Sequence, residues 1–273
     1  MQRKFGVFAS SLALAACLGL ALPAQAKTAP HPRRILEVIQ NGPFRTGRGF
    51  GFHHAVTDHT AQVLQEIGKE TGAFTVDVTQ DAHATLNATN LRRYDAVVFY
   101  TTGELPLTDQ EKKDFMNWVK AGHGVVGIHC ATDTNYNWPE WHEMLGGTFN
   151  DHPWHAGSKL WVINVDPKFP SQRQWPKEFQ WTDEFYQFKN WDKNKVHVLL
   201  RLDPKKLDMT RPGIKRTDGY FANAWVKYWG KGRIFYTALG HDARSWDDPA
   251  FRKHVEMGIR WADGEIPYKV HVP

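Results

Sequence analysis

The segment Ala96-Val97-Val98-Phe99-Tyr100-Thr101 runs apolar almost without a break. A strand with one wet face alternates apolar and polar residues; one that is apolar throughout is buried on both faces, as in a parallel sheet covered by helices. A second strand of this kind, Gly124–Ile128, follows across a stretch that reads as a helix. Thr108 and Glu111 form its capping box, Phe115, Trp118 and Val119 point inward, and Gly122 ends it. Parallel neighbours need such a crossover, because a short turn cannot join them. Upstream, residues 35–39 and 74–78 read as strands around another helix. Thr57 or Asp58 is its expected cap, Ala61, Leu64 and Ile67 recur at three and four, and Gly72 stops it. The pattern predicts an α/β fold with a doubly wound, mostly parallel sheet flanked by helices.

Downstream the rhythm loosens. Asn137-Trp138-Pro139 opens a short helix closed by Gly146-Gly147, and strands are expected at residues 160–165, 185–188 and 196–202. Residues 222–228 and 233–239 flank Gly230-Lys231-Gly232, which predicts an additional antiparallel hairpin. A last helix, Pro249–Ala262, places Phe251, Val255 and Ile259 four apart, with Asp247 and Asp248 at its positive end.

Residues 1–26 stand apart from this pattern. Arg3 and Lys4 precede an apolar run to Leu22, and Ala24-Gln25-Ala26 is an A-x-A cleavage signal, so the segment reads as a secretory signal peptide. The run carries Gly6, Ser10 and Ser11 and is marginal for a span, so no membrane span is expected after cleavage. Leu14-Ala15-Ala16-Cys17 also fits a lipobox. The chain stays apolar past Cys17, where a lipidated terminus turns polar, which favours plain cleavage over a lipoprotein. Removing 26 of 273 residues leaves 247, residues 27–273, enough for one sizeable core and read as a single α/β domain. Losing Arg3 and Lys4 takes Lys+Arg from 34 to 32 against 29 acids, a formal +3. Basic and acidic residues are interspersed without long like-charge runs, which argues against a nucleic-acid partner. Cys130 is the one cysteine left, so no intramolecular disulfide is available. An exported chain of this size without a disulfide fits a bacterial periplasmic enzyme or binding protein.

Fourteen histidines and twelve tryptophans gather at recurring loops. In an open parallel sheet, ligands bind outside the carboxyl ends of the strands, where loops converge. His53-His54 follows the first expected strand, Thr102-Gly103-Glu104 the third, and His129-Cys130-Ala131-Thr132-Asp133 the fourth. Gly240-His241-Asp242 follows residues 233–239, and His152-Pro153-Trp154-His155 follows a glycine turn.

The stretch Gly124 to Thr132 looks like the strand-to-turn elbow that presents the nucleophile of class I glutamine amidotransferases, but His129 stands at the nucleophile position and Cys130 falls one residue late. Cys130 therefore reads as a buried, inert thiol. Tyr94 to Phe99, Gly124 to Ala131, Gly146-Gly147-Thr148-Phe149 with His152-Pro153, Asp183-Glu184-Phe185-Tyr186, and Gly230 to Tyr236 with Leu239-Gly240-His241 together resemble the ThuA-like family, named for trehalose utilisation. The resemblance spans residues 33–264. It implies an amidotransferase-like (flavodoxin-like) α/β fold without the amidotransferase nucleophile, and a role in sugar metabolism, often beside enzymes that handle oxidised disaccharides. At residue 130 the commonest elbow has a small residue, so this chain departs there.

The expected catalytic group is His129, His241, Glu184, His152 and His53. Alternation along a strand sends Asp183 and Glu184 to opposite faces, and the family pattern favours Glu184 as the one facing the pocket. The family's Phe-His pattern likewise favours His53 over His54. Trp138, Trp154 and Trp246 are expected to stack on a sugar, with Glu104, Asp133, His155 and Asp242 as further substrate contacts. Two chemistries stay open. Neutral imidazoles with Glu184 could hold a divalent metal such as zinc, although no HxH or HExxH spacing supports it. Metal-free acid–base work on an oxidised glycoside needs only a base and an oxyanion donor. The expected partner is a small sugar or disaccharide derivative, acted on by an enzyme or held by a non-catalytic carbohydrate-binding protein; no nucleotide cofactor is expected.

Overall fold

The computed structural model describes residues 32–43 and 51–272. The expected signal peptide and Cys17 lie outside them. In chain order the strands are β1 (Arg33–Val38), β2 (Phe74–Thr79), β3 (Ala96–Phe99), β4 (Gly124–Ile128), β5 (Thr148–Asn164), β6 (Glu178–Lys189), β7 (His197–Leu202), β8 (Ala222–Trp229) and β9 (Gly232–Thr237). The helices are α1 (Thr57–Thr71), α2 (Ala82–Thr85), α3 (Ala88–Leu91), α4 (Asp109–Ala121), α5 (Pro139–Leu145), α6 (Ala243–Asp247) and α7 (Pro249–Ala262). All nine strands join one sheet in the order β2-β1-β3-β4-β9-β8-β7-β5-β6. The first five in that order pair parallel.

This is the doubly wound, mostly parallel sheet flanked by helices, and the reason is visible in its central strands. Ile35, Val98 and Val126 pack on one face with Leu64, Ile67, Val255 and Ile259 of α1 and α7. Leu36, Val97 and Val125 pack on the other with Phe115 and Val119 of α4 and Trp141 of α5. Both faces are dry, so alternate residues of each strand are apolar for different partners. Helix α4 carries the complete Thr108–Glu111 capping box. Helix α7 is capped by Asp248, which accepts from the Ala250 and Phe251 N–H groups.

Two expectations change. Helix α1 has Val56 as its N-cap without a side-chain cap; the Thr57 hydroxyl instead donates to the His54 carbonyl at 2.7 Å and ties down the loop before the helix. The antiparallel part is also larger than one hairpin. Strands β8, β7, β5 and β6 extend the sheet by four antiparallel members. Residues 148–159 of β5 are rich in polar residues and so lack a strand's apolar signature, but they pair with β6 through three register shifts. Such bulges supply backbone pairing while turning side chains away from strict alternation. Among the described residues, no helix is long and apolar enough to cross a membrane.

Candidate functional site

Three loops at the carboxyl ends of β1, β4 and β9 each deliver one imidazole to the same place. After β1, Asn41 Nδ2 donates to the Phe52 carbonyl (2.9 Å) and to Thr102 Oγ1 (2.6 Å), which itself donates to the Phe52 carbonyl (3.0 Å). This clasp leaves Phe52 59% exposed and turns His54 inward to 4% exposure. After β4 the chain enters a 3-10 turn, and His129 takes φ +47°. A branched or bulky residue in the left-handed region costs on the order of 1 kcal/mol, and is kept where packing over-determines it. Here the Tyr236 hydroxyl donates to the His129 carbonyl at 2.7 Å, and His129 Nδ1 donates to the Ala238 carbonyl at 2.7 Å.

After β9, Gly240 takes φ +107°, and a Cβ there would meet Phe251 Cζ at 2.9 Å, so glycine is required to bring His241 round. The Asp183 carboxylate holds this turn. It accepts from Gly240 N at 2.8 Å, His241 N at 3.0 Å and Ser245 Oγ at 2.8 Å. Tyr100 Oη and Trp246 Nε1 both donate to the Gly240 carbonyl at 3.0 Å.

Strand β6 brings the carboxylate. Glu184 Oε2 lies 3.4 Å from His129 Nε2 and 3.9 Å from His241 Nε2, and Oε1 lies 3.5 Å from His152 Nδ1. Tyr186, two residues on, places its hydroxyl 2.8 Å from His129 Nε2. Because His129 Nδ1–H is committed to a carbonyl, the neutral ring has its lone pair on Nε2, and the Tyr186 hydroxyl donates to it. One ligand atom from each of His54, His129, Glu184 and His241 lies within 4.8 Å of the others, so these four could hold a metal ion.

Burial sets the charges. Desolvation, followed by the proximity of His129 and His241, holds His54 down to about 2, so its ring is neutral. Desolvation and then His129 also lower His241, partly offset by Glu184. Burial pushes Glu184 up, but the proximity of the His129, His241 and His152 rings outweighs that and holds its carboxyl below the ordinary value. Asp133 is raised to about 6 by burial, against the hydrogen bond it accepts from Tyr136. Burial pushes the Cys130 thiol well up, which leaves it a poor nucleophile.

The structure brings together His129, His241, Glu184 and His152, but exchanges one partner. His54, not His53, is the inward member of the pair; His53 is exposed and its Nδ1 meets Asn41 Oδ1 at 2.9 Å. The reversal follows from the Phe52 clasp, a tertiary contact. Trp138, Trp154 and Trp246 do not offer faces to a sugar: they are 7%, 2% and 0% exposed and fill the two cores. Glu104 accepts from Asn137 N at 3.1 Å and stitches loops together. Asp133 is engaged by Tyr136, and Asp242 caps α6 and pairs with Arg244 at 2.9 Å. His155 is exposed at the rim, with its Nδ1 2.9 Å from His152 Nδ1.

His54, Tyr186 and Asp183 lie at the site but outside the expected catalytic group, His54 and Asp183 being the less favoured members of their pairs. Tyr186 carried a usable signal, since it lies two residues from Glu184 and alternation puts both on one face. Asp183 had none, because its acceptors meet N–H groups 57 and 58 residues away. A separate cavity of about 590 Å³ is lined by Tyr136, His142, Thr148, Lys189 and Trp191. His54, His129, His152 and His241 do not line it, and the chemistry rather than the volume marks the site.

No curated protein matches the sequence. Among solved structures, a ThuA-like protein from Bacteroides uniformis is 23% identical with a TM-score of 0.68, over 89% of this chain and 95% of that one. A ThuA-like protein from Parabacteroides merdae is 18% identical with a TM-score of 0.64, over 88% and 93%. A β-galactosidase from Bacillus circulans shares the fold over 86% of this chain and 31% of its own, at 12% identity and a TM-score of 0.53. The ThuA family, described as trehalose utilisation, matches residues 46–262. With that match over most of its length, the chain belongs to the ThuA family, which suggests a role in carbohydrate utilisation.

Proposed function

We propose that this chain is an exported, periplasmic enzyme that acts on a sugar or an oxidised (3-keto) glycoside by histidine and carboxylate chemistry. The observation that carries the reading is the convergence of His54, His129, His241 and Glu184 at the strand ends, with His152 at the rim. Export rests on the residue pattern of 1–26, and the substrate class on family membership.

The geometry divides the labour. His129 is fully buried, whereas the His152 side chain is 38% exposed and touches Glu184. A proton taken from substrate must be returned to solvent or product, so the exposed imidazole is the better base and Glu184 orients it. In a 3-keto glycoside, His152 removes the proton at C2, the C–H electron pair forms an enolate, and the ketone oxygen gains charge. In this reading His241 donates a ring N–H to that oxygen. The enolate then either expels the C1 glycosidic oxygen, which leaves with the proton held by His152, or takes that proton back on carbon as an isomer. Phe52, exposed and edge-on to His54 at 4.8 Å between centroids, is the aromatic placed to cover the sugar.

The test is a screen of disaccharides and their 3-keto forms with the mature chain, His152→Ala and Glu184→Gln. The expected result is turnover of a 3-keto glycoside by the wild type, reduced at least about 100-fold in either variant with sugar affinity retained. Binding without turnover of any ketosugar would leave a carbohydrate-binding protein instead.

A further inference from the structure

The geometry points to a four-ligand site for a borderline divalent cation such as zinc, formed by His54, His129, His241 and Glu184. The three imidazole centroids form a nearly equilateral triangle, with sides of 5.0, 5.2 and 5.2 Å. Their planes cross at 86°, 80° and 78°. A tetrahedral zinc with nitrogens at about 2.1 Å has ring centroids about 3.2 Å away, and tetrahedral angles then separate centroids by about 5.3 Å. The same geometry sets a ligand-to-ligand edge of about 3.4 Å. His129 Nε2 and Glu184 Oε2 are 3.4 Å apart.

The surroundings fit as well. A metal-bound histidine usually donates its other N–H to a carbonyl or carboxylate, and His129 donates Nδ1–H to Ala238. Among the described residues, the buried Nδ1 of His54 and that of His241 have no hydrogen-bond partner, so neither ring is tied to another protein group through that nitrogen. The Tyr186 hydroxyl donates to His129 Nε2, and its hydrogen turns away when a cation takes that lone pair. Three nitrogens and one carboxylate favour zinc, cobalt or a similar ion over magnesium or calcium, which prefer all-oxygen shells. Two neighbouring sets fit less well. In Asp183, His241 and Asp242 the carboxylates already serve backbone N–H groups, Ser245 and Arg244. In His152, His155 and Glu184 the imidazoles lie at the open rim.

The site rests on the proposed function only for what a metal would do there, namely polarise the substrate's ketone oxygen, which would enter as a fifth ligand beside the four protein groups. Its test uses metal alone. The tag-free mature chain, treated with EDTA and dialysed, is titrated with Zn²⁺ by calorimetry and with Co²⁺ by visible absorption. One equivalent per chain is expected, with intense tetrahedral cobalt bands. His54→Asn, His129→Ala and His241→Asn should each weaken binding by about 100-fold, while His155→Ala and Asp242→Asn leave it within about 2-fold. Thermal unfolding of each variant separates lost ligands from lost folding, and at least two of the three ligand variants are expected to melt cooperatively. No uptake by the wild type, or uptake insensitive to the folded ligand variants, overturns the site. Turnover of a 3-keto glycoside by the EDTA-treated chain would remove the metal's role and keep the reaction; tight zinc binding without turnover would do the reverse.

Discussion

The parallel and antiparallel halves of the sheet contribute to the site in different ways. Strands β1, β4 and β9 end in loops, and each loop delivers a histidine: His54, His129 and His241. Strand β6 presents Glu184 and Tyr186 from within the strand, and β5 presents His152 beside its register shifts. Loops at strand ends gather whatever residues follow the strands, so their contribution follows from chain order. A bulged strand aims side chains by its pairing, and that depends on the partner strand. The parallel half supplies the imidazoles, and the antiparallel half aims the carboxylate at them.

Five substitutions, in four experiments, can break or sharpen this division. The largest effect is expected from Glu184→Gln combined with His129→Ala, one residue from each half. If they act as a unit, the double variant loses about as much ketosugar turnover as the worse single one, on the order of 1000-fold in kcat/KM. Independent losses that multiply would show two separate sites.

Next, Asp183→Asn joins the halves directly, because one β6 carboxylate holds the loop after β9. Asparagine cannot accept on both sides, and the variant should lose roughly 2–4 kcal/mol in denaturant unfolding, with His241 displaced. A stable variant with unchanged zinc affinity would contradict the role given to Asp183.

Glu37 tests the parallel half alone. Its carboxyl is buried in β1, receives the Thr60 hydroxyl at 2.9 Å, and is pushed up to about 8 by burial. Between the ordinary carboxylate value and about 8, the folded chain keeps a proton that the unfolded chain has released, so stability falls as pH rises through that window. Glu37→Gln should remove this slope, raising Tm by roughly 5 °C at pH 8 and little at pH 5. Equal shifts at both values would show that Glu37 does not titrate with folding. The smallest effect is expected from Thr108→Ala, which opens the α4 capping box, no member of which belongs to the imidazole cluster. It should cost about 1 kcal/mol by denaturant unfolding and leave metal affinity unchanged.

The same contrast separates what could be read from the sequence. Strand β4 and helix α7 match their expected bounds, and α4 begins at the expected cap, because apolar continuity, a capping pair and terminal glycines act locally. His129, His241, Glu184 and His152 could be singled out because they sit beside strand or turn signals. The family's Phe-His pattern points to His53, but adjacent residues share the same local signals, and the inward turn of His54 rests on Asn41 and Thr102 clasping Phe52. The tryptophans misled for a related reason: an indole in a loop segment looks available, but Trp246 is fully buried with its N–H on Gly240.

By itself, the sequence determined the parallel core, its helices and the loops on which the histidines lie, because periodicity and caps are short-range properties of the chain. Only the tertiary structure decided which imidazoles face one another at about 5 Å and which carboxylate meets them. Those distances arise from contacts between residues more than fifty positions apart, and no local pattern encodes them.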